Sequence, residues 1–295
     1  MSEPPRVLLE HGAWPAYRLL DCGQGRKLEQ FGDLRLIRGE PKAWWRPRRD
    51  PREWAAAHAE FGEDGRWMRM RADTPPRWTL AYEGLTLEAR LSSGSKHVGV
   101  FPEQEPHWRW VRERLAAVKG AGTPPSVLNL FGYTGVATLA AAKAGAAVTH
   151  VDASKPALAW ARENQRLSGM GDAPVRWLLD DAFKFVAREI RRGRRYDLIL
   201  LDPPSFGRGP RGEVWKVENQ IADLMDLLRK LVDPDSGAVV LTLYNLEASP
   251  LMLHNLTRDA FPKGALEVGE LVLGGDEGAP RLPLSLFARW AGAAD

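Results

Sequence analysis

Beyond residue 107 the chain alternates between short apolar runs and longer amphipathic stretches. The apolar runs at 127–130, 147–151, 175–179, 196–201 and 238–243 are of strand length. Continuous apolar runs of that length suit strands covered on both faces. Apolar residues at three- and four-residue spacing predict helices at 107–119, 136–144, 155–167, 183–192 and 219–231. Strict alternation predicts an α/β fold, a doubly wound Rossmann-like sheet, mostly parallel, with right-handed crossovers. After a further helix near 251–260, two strands at 266–273 and 282–290 joined by glycine-rich residues end the sheet in a hairpin, so the last strand is antiparallel. That ending differs from the usual dinucleotide-binding sheet.

Before residue 107 the pattern changes. Short alternating runs at 35–38 and 67–71 are broken by turn residues, and 78–82, then Glu83-Gly84, then 85–91 read as a β-hairpin. Proline-rich breaks fall at 47–51 and at Pro75-Pro76. The reading is a small β-rich domain over 1–106, available for substrate binding, and a second domain over 107–295.

Composition narrows the classes. With 295 residues, 44% hydrophobic and 27% charged, the chain is globular and large enough to bury a core without staples. Cys22 is the one cysteine, which excludes an internal disulfide and a cysteine metal cluster. The six histidines lack ligand spacing, so no metal is expected. The start carries no apolar signal-peptide run, and no stretch of about 18 apolar residues occurs. A reduced, soluble, cytoplasmic protein, monomer or homodimer, away from membranes, is the expectation. The net charge of +3 decides little. Two basic clusters stand out: Lys42, Arg46, Arg48, Arg49 and Arg52 around Trp44 and Trp45, and Arg188, Arg191, Arg192, Arg194 and Arg195. Each reads either as a solvated face or as an anion contact.

Four chemically suggestive stretches fall at strand ends, where open α/β sheets bind ligands. The first is Asn129-Leu130-Phe131-Gly132-Tyr133-Thr134-Gly135. Its glycines let backbone approach a ligand, though a structural turn would look the same. It has neither the pyrophosphate fingerprint nor a P-loop Gly-Lys-Ser/Thr. The second is Asp152, whose carboxylate can accept from two ribose hydroxyls or cap the next helix; Ser154 competes for the cap. The third is Asp180-Asp181, where a carboxylate could meet an adenine amino group or cap a helix. The fourth, Asp202-Pro203-Pro204-Ser205-Phe206, is the most specific. Two prolines stiffen the strand exit and withhold N–H donors, leaving carbonyls and the Asp202 carboxylate as acceptors beside the stacking surface of Phe206. The loop 207–216 places Arg208, Arg211 and Lys216 beside Trp215, a set suited to phosphate contact and base stacking or to a solvated loop.

In this order and spacing the four motifs resemble those of the class I S-adenosylmethionine-dependent methyltransferases. Within them the chain resembles the large-subunit rRNA methyltransferases that modify cytosine C5 or guanine N7. The likeness spans residues 80–290 and includes Asn164 and the stretch from Lys96 to Gln104. It implies S-adenosyl-L-methionine as cofactor, held by Asn129, Phe131, Gly132, Tyr133, Thr134, Gly135, Asp152, Ser154, Asp181 and Ala182 and covered by Phe101 and Gln104. Asp202, Pro203, Ser205 and Phe206 would face methyl donor and acceptor. The C5 enzymes use a cysteine nucleophile. Here Thr242-Leu243-Tyr244-Asn245 stands where they carry it, and Asn245 resembles the asparagine of the N7 relatives. The expectation is RNA methylation at a base nitrogen, rRNA foremost, without a cysteine nucleophile, with Arg208, Trp215, Lys216 and Asn245 toward the substrate. Methylation of a protein side chain or small molecule in the same fold is the alternative, and a binding protein without catalysis is a third reading.

Overall fold

The computed structural model describes residues 6–118, 123–209, 212–244, 246–276 and 278–292. The chain groups into two compact units. One holds His107–Glu270 with the N-terminal residues up to Leu9 and the C-terminal residues from Ser285; the other holds Glu10–Pro106 and Leu271–Leu284.

The chain starts with β1 (Arg6–Glu10), followed by three strands, β2 (Tyr17–Gly23), β3 (Arg26–Phe31) and β4 (Leu34–Gly39), paired antiparallel. A short helix α1 (Pro51–Ala55) forms at the proline-rich stretch that the sequence reads as a break. Asp50 caps it and Pro51 opens it, the preferred chemistry for a helix start. Next come β5 (Ala59–Phe61) and β6 (Trp67–Arg69), which complete a five-stranded sheet in the order β2-β3-β4-β5-β6. A separate hairpin joins β7 (Arg77–Tyr82) to β8 (Leu85–Arg90). Its turn, Glu83-Gly84, holds both residues at positive φ (44° and 74°), which matches strand twist.

This unit packs Leu20, Leu28, Ile37, Trp54 and Ala57 into an apolar cluster. Beside it Arg38 grips the buried Glu29 with two bonds of 2.7 Å, and the Tyr17 hydroxyl donates to the same carboxylate at 2.9 Å. Burial pushes the Glu29 carboxyl up, but Arg38 and Lys27 outweigh it and hold it at about 2.

The larger unit carries α2 (Glu105–Val118), β9 (Ser126–Leu130), α3 (Val136–Lys143), β10 (Ala147–Asp152), α4 (Lys155–Leu167), β11 (Val175–Leu179) and α5 (Ala182–Arg191). Then follow β12 (Leu198–Leu201), the small hairpin strands β13 (Phe206–Arg208) and β14 (Val214–Lys216), α6 (Val217–Leu228), β15 (Ala238–Tyr244) and α7 (Pro250–Ala260). Strands β16 (Ala265–Leu273) and β17 (Leu282–Ala291) come last.

The eight-stranded sheet runs β1-β16-β17-β15-β12-β9-β10-β11. Strands β9 to β12 and β15 pair in parallel, and β17 joins β15 antiparallel. This is the doubly wound sheet that the apolar alternation predicts. Side chains alternate between its faces with period two. Leu128, Leu130, Ile199 and Leu201 pack under α5 and α6, whereas Val127, Leu198 and Leu200 pack under α2 and α3. From β9 the chain winds outward through β10 and β11, then returns to β12 on the other side of β9. The order therefore reverses between β9 and β12, and the loops after these two strands flank that switch point. Among the described residues no helix is long and apolar enough to cross a membrane.

Candidate active site at the strand ends

The loop after β9 is tightly curled. Phe131 and Tyr133 hold positive φ (56° and 49°) without being glycine, a conformation that costs about 1–3 kcal/mol and persists only where the surroundings impose it. The surroundings are identifiable. Tyr133 N–H donates to Asp152 Oδ2 at 2.8 Å, and Asn164 Nδ2 donates to the Thr134 carbonyl at 2.9 Å. Gly132 lies against the ring of His150, and a Cβ there would sit 2.3 Å from Cε1. Behind the loop Asn129 Nδ2 donates to Thr138 Oγ1, which lies 2.9 Å from His150 Nδ1. Burial lowers the His150 pKa to about 3, so the ring stays neutral beside Thr138.

Asn129 was expected among the cofactor contacts. The structure instead buries its amide in the chain that braces the loop from behind, so the side chain supports rather than contacts. Thr134 is likewise buried, and its carbonyl serves Asn164.

At the end of β10, Asp152 Oδ1 accepts from Ser154 N–H at 2.7 Å while Oδ2 takes Tyr133 N–H. Ser154 caps α4, as the sequence suggests. Burial raises the Asp152 pKa, and the two backbone bonds oppose that rise. A carboxylate has about four lone-pair sites, so two accepted bonds leave capacity for a ribose diol. At the end of β11, Asp181 Oδ1 caps α5 through Lys184 N–H at 3.0 Å, and Ala182 is the first, buried residue of that helix. Asp180 pairs with Arg188. One oxygen of Asp181 is thus spent on the helix start, where the sequence allowed either role.

Asp202, Pro203, Pro204, Ser205 and Phe206 leave β12 at the switch point. Phe206 is 52% exposed and Pro203 is buried. The Pro204 carbonyl is not free for a ligand, because the Trp215 indole N–H donates to it at 2.6 Å. The 207–216 loop forms the β13–β14 hairpin, with Arg208 and Lys216 exposed. Trp215, expected to stack on a base, is only 7% exposed and cannot do so. Its ring packs 5.1 Å from that of Phe131 and 5.9 Å from that of Phe183, so it ties the loops after β9 and β12 to the first turn of α5. Arg211 and Asn245 lie outside the described residues. Phe101 and Gln104 belong to the other unit, where the Phe101 ring lies 4.9 Å from His97.

Sequence reasoning missed a cavity of about 690 Å³ beside this loop. Ser205 and Phe206 border it; Ile221, Leu243, Met252 and Leu256 form apolar walls, with Glu218 and Glu247 as its charged residues. The amphipathic patterns of α6 and α7 were readable, but their convergence on one cavity is a tertiary fact.

A curled glycine loop, a ribose-ready carboxylate on the neighbouring strand and a rigid acceptor loop across the switch point define a Rossmann-like enzyme that takes an adenosyl cofactor. The chain belongs to the S-adenosylmethionine-dependent methyltransferase family, whose pattern matches residues 63–260. A crystal structure of an S-adenosylmethionine-dependent methyltransferase from Agrobacterium tumefaciens is 44% identical, with a TM-score of 0.91 over 99% of this chain and 96% of that one. A methyltransferase complexed with SAH shares the fold at 20% identity and TM-score 0.73, over 95% of this chain and 76% of that one. Ribosomal RNA large subunit methyltransferase K/L of Shewanella frigidimarina is 35% identical over 44% of this chain and 18% of its own length. Ribosomal RNA large subunit methyltransferase I of Alteromonas mediterranea is 30% identical over 46% of this chain and 33% of its own length. The match thus spans a third or less of these two relatives.

Proposed function

We propose that this methyltransferase acts on a base nitrogen of RNA, ribosomal RNA foremost, without a cysteine nucleophile. The observation that carries this reading is the cavity beside Ser205 and Phe206, which contains no thiol. Cys22, the one cysteine, is buried in the other unit, and burial pushes its thiol up to about 11. A thiol so rarely ionised at neutral pH makes a poor nucleophile. A ring nitrogen carries its own lone pair and needs alignment rather than covalent activation. The two rRNA methyltransferases above support the substrate class.

S-adenosylmethionine supplies an electrophilic methyl group when bound. The chain's residues position it: Asp152 receives the ribose hydroxyls, the curled backbone from Phe131 to Gly135 admits the cofactor closely, and the Asp202 carboxylate accepts from an amino group of the acceptor base. Phe206 offers a face for stacking. Asp181, Phe101 and Gln104 remain proposed cofactor contacts, and Arg208 and Lys216 proposed phosphate contacts. Glu218 and Glu247 also favour a second reading, a neutral or cationic small molecule or protein side chain, because among the described residues no cation lines the cavity.

Radiolabelled methyl transfer to ribosomal particles, naked rRNA, tRNA and protein fractions from a deletion strain tests the proposal. Label in rRNA, recovered as a nitrogen-methylated nucleoside, is the expected result. Label confined to protein, or loss of 5-methylcytosine alone in the deletion strain, would overturn it.

A further inference from the structure

We propose that the Trp44 loop of the Glu10–Pro106 unit is a docking platform for single-stranded RNA, an inference that rests on the RNA reading above. Trp44 is 88% exposed, although the loop around it is firmly held. Gly25 N–H donates to the Ala43 carbonyl at 2.8 Å and Gln24 N–H to the Trp45 carbonyl at 2.7 Å. The Trp45 indole donates to the Cys22 carbonyl at 2.9 Å. The buried carboxylate of Asp21 accepts from the backbone of Arg48 (2.9 Å) and Arg49 (2.8 Å) and from the Trp54 indole (3.1 Å). The loop is therefore pinned on both sides of an indole that stays in water. A flexible segment would let such a ring fold back onto apolar surface; this one presents it.

The charges around the ring suit a polyanion. Arg46, Arg48 and Arg52 are exposed, and among the described residues none of them makes an ion pair. Arg48 donates to the Gly278 carbonyl at 2.8 Å, which fixes its direction while keeping its charge uncompensated. Gln24, bonded to the Trp45 backbone, also lines a groove of about 290 Å³. That groove is bordered by Arg26, Arg49, Trp54 and Met70, and the Arg26 guanidinium lies 5.3 Å from the centre of the Trp54 ring. Arg49 is neutralised by Glu53 and Asp276, and Arg26 by Glu60, so the net attraction comes from Arg46, Arg48 and Arg52, which outnumber the one exposed acid among them, Asp50. An exposed ring beside unpaired arginines is the combination that binds single strands, where bases stack on the aromatic and cations track the phosphates. Duplex bases are already stacked and cannot use the ring. An acidic protein segment would use the arginines but would not need Trp44.

The test is fluorescence anisotropy of the full chain with a labelled single-stranded uridine-rich RNA, the same RNA as a duplex, and polyglutamate as competitor. Trp44→Ala is expected to weaken single-strand binding about tenfold or more. Arg46→Glu with Arg52→Glu should reduce the steepness of the salt dependence by roughly 0.7 per lost phosphate contact. S-adenosylmethionine binding by calorimetry and the melting temperature should not change in either variant. Unchanged single-strand binding in Trp44→Ala overturns the proposal. So does polyglutamate competing as well as RNA with the same strength in both proteins, which would mark an acidic-protein surface. If the wild type methylates RNA and Trp44→Ala binds it normally, this inference alone fails. If label goes only to protein, the RNA reading fails and takes this inference with it.

Discussion

The indole N–H of Trp215 donates to the Pro204 carbonyl at 2.6 Å, and the same ring lies 5.1 Å from Phe131. One buried side chain thus couples the loop after β12 to the loop after β9. Trp215→Phe keeps an aromatic ring but removes the donor to the Pro204 carbonyl, at a cost of about 0.5–1.5 kcal/mol for the hydrogen bond. Methyl transfer is expected to slow about tenfold or more, because the Asp202 to Phe206 loop loses its fixed position, while cofactor affinity falls less. Trp215→Ala should lower stability by about 3–5 kcal/mol through the cavity it leaves. Kinetics and denaturant melts on both variants check this.

The strand ends were legible because five strands read as apolar runs, the edge strand β11 being only half-buried, and four of them end at residues with distinctive chemistry. That Ser154 caps α4 was also legible, since capping is local. Trp215 was not. Its neighbours Arg208 and Lys216 suggest a surface loop, and only Phe131 and Phe183, distant in sequence, make its site an interior one. Asn129 misled for a related reason. A polar residue at a strand end looks like a ligand contact until Thr138 and His150 close behind it. Nor does the sequence mark Leu271–Leu284 as grouping with Glu10–Pro106 rather than with the strands that flank it.

Gly132 has no room for a side chain, since a Cβ would stand 2.5 Å from His150 Nδ1. Gly132→Ala is therefore expected to push the loop out of its curl and weaken cofactor binding at least tenfold. The effect should depend on the histidine. In a Gly132→Ala, His150→Ala double variant the two closest clashes are gone and only Asn129 Nδ2, at 3.0 Å, must give way, so the two losses should be less than additive. Titration calorimetry with the cofactor across the four proteins measures the coupling. Fully additive losses would show that the close approach to His150 is not what demands glycine.

Asp152 receives two backbone N–H bonds and keeps capacity for two hydroxyls. Asp152→Asn places an amide donor where one oxygen now accepts an N–H, and removes the charge. Cofactor affinity should fall about ten- to a hundredfold, equivalent to about 1.4–2.8 kcal/mol. Burial raises the Asp152 pKa, so the wild-type carboxylate should take up a proton above the usual aspartate range. Affinity should accordingly weaken as the pH falls through the acid range, and Asp152→Asn should lose that dependence. Binding measured in a pH series on both proteins separates the two effects.

His150 should make stability pH-dependent below about pH 6.5. Its ring is buried and stays neutral to about pH 3, whereas an unfolded histidine takes up a proton below about 6.5. Between those values the unfolded state binds the extra proton. The contribution is complete above pH 6.5 and declines as pH falls, by about 1.4 kcal/mol per unit once well below 6.5. His107, buried beside the Arg289 guanidinium, is also shifted down and acts with the same sign. Denaturant melts from pH 7.5 to 4.5 should therefore show falling stability, and His150→Gln should flatten the slope by about one proton. The glutamine amide can still hydrogen-bond to Thr138, so the variant should fold. An unchanged slope would mean that His150 titrates alike in both states and that its neutral ring is not what braces the loop at Gly132.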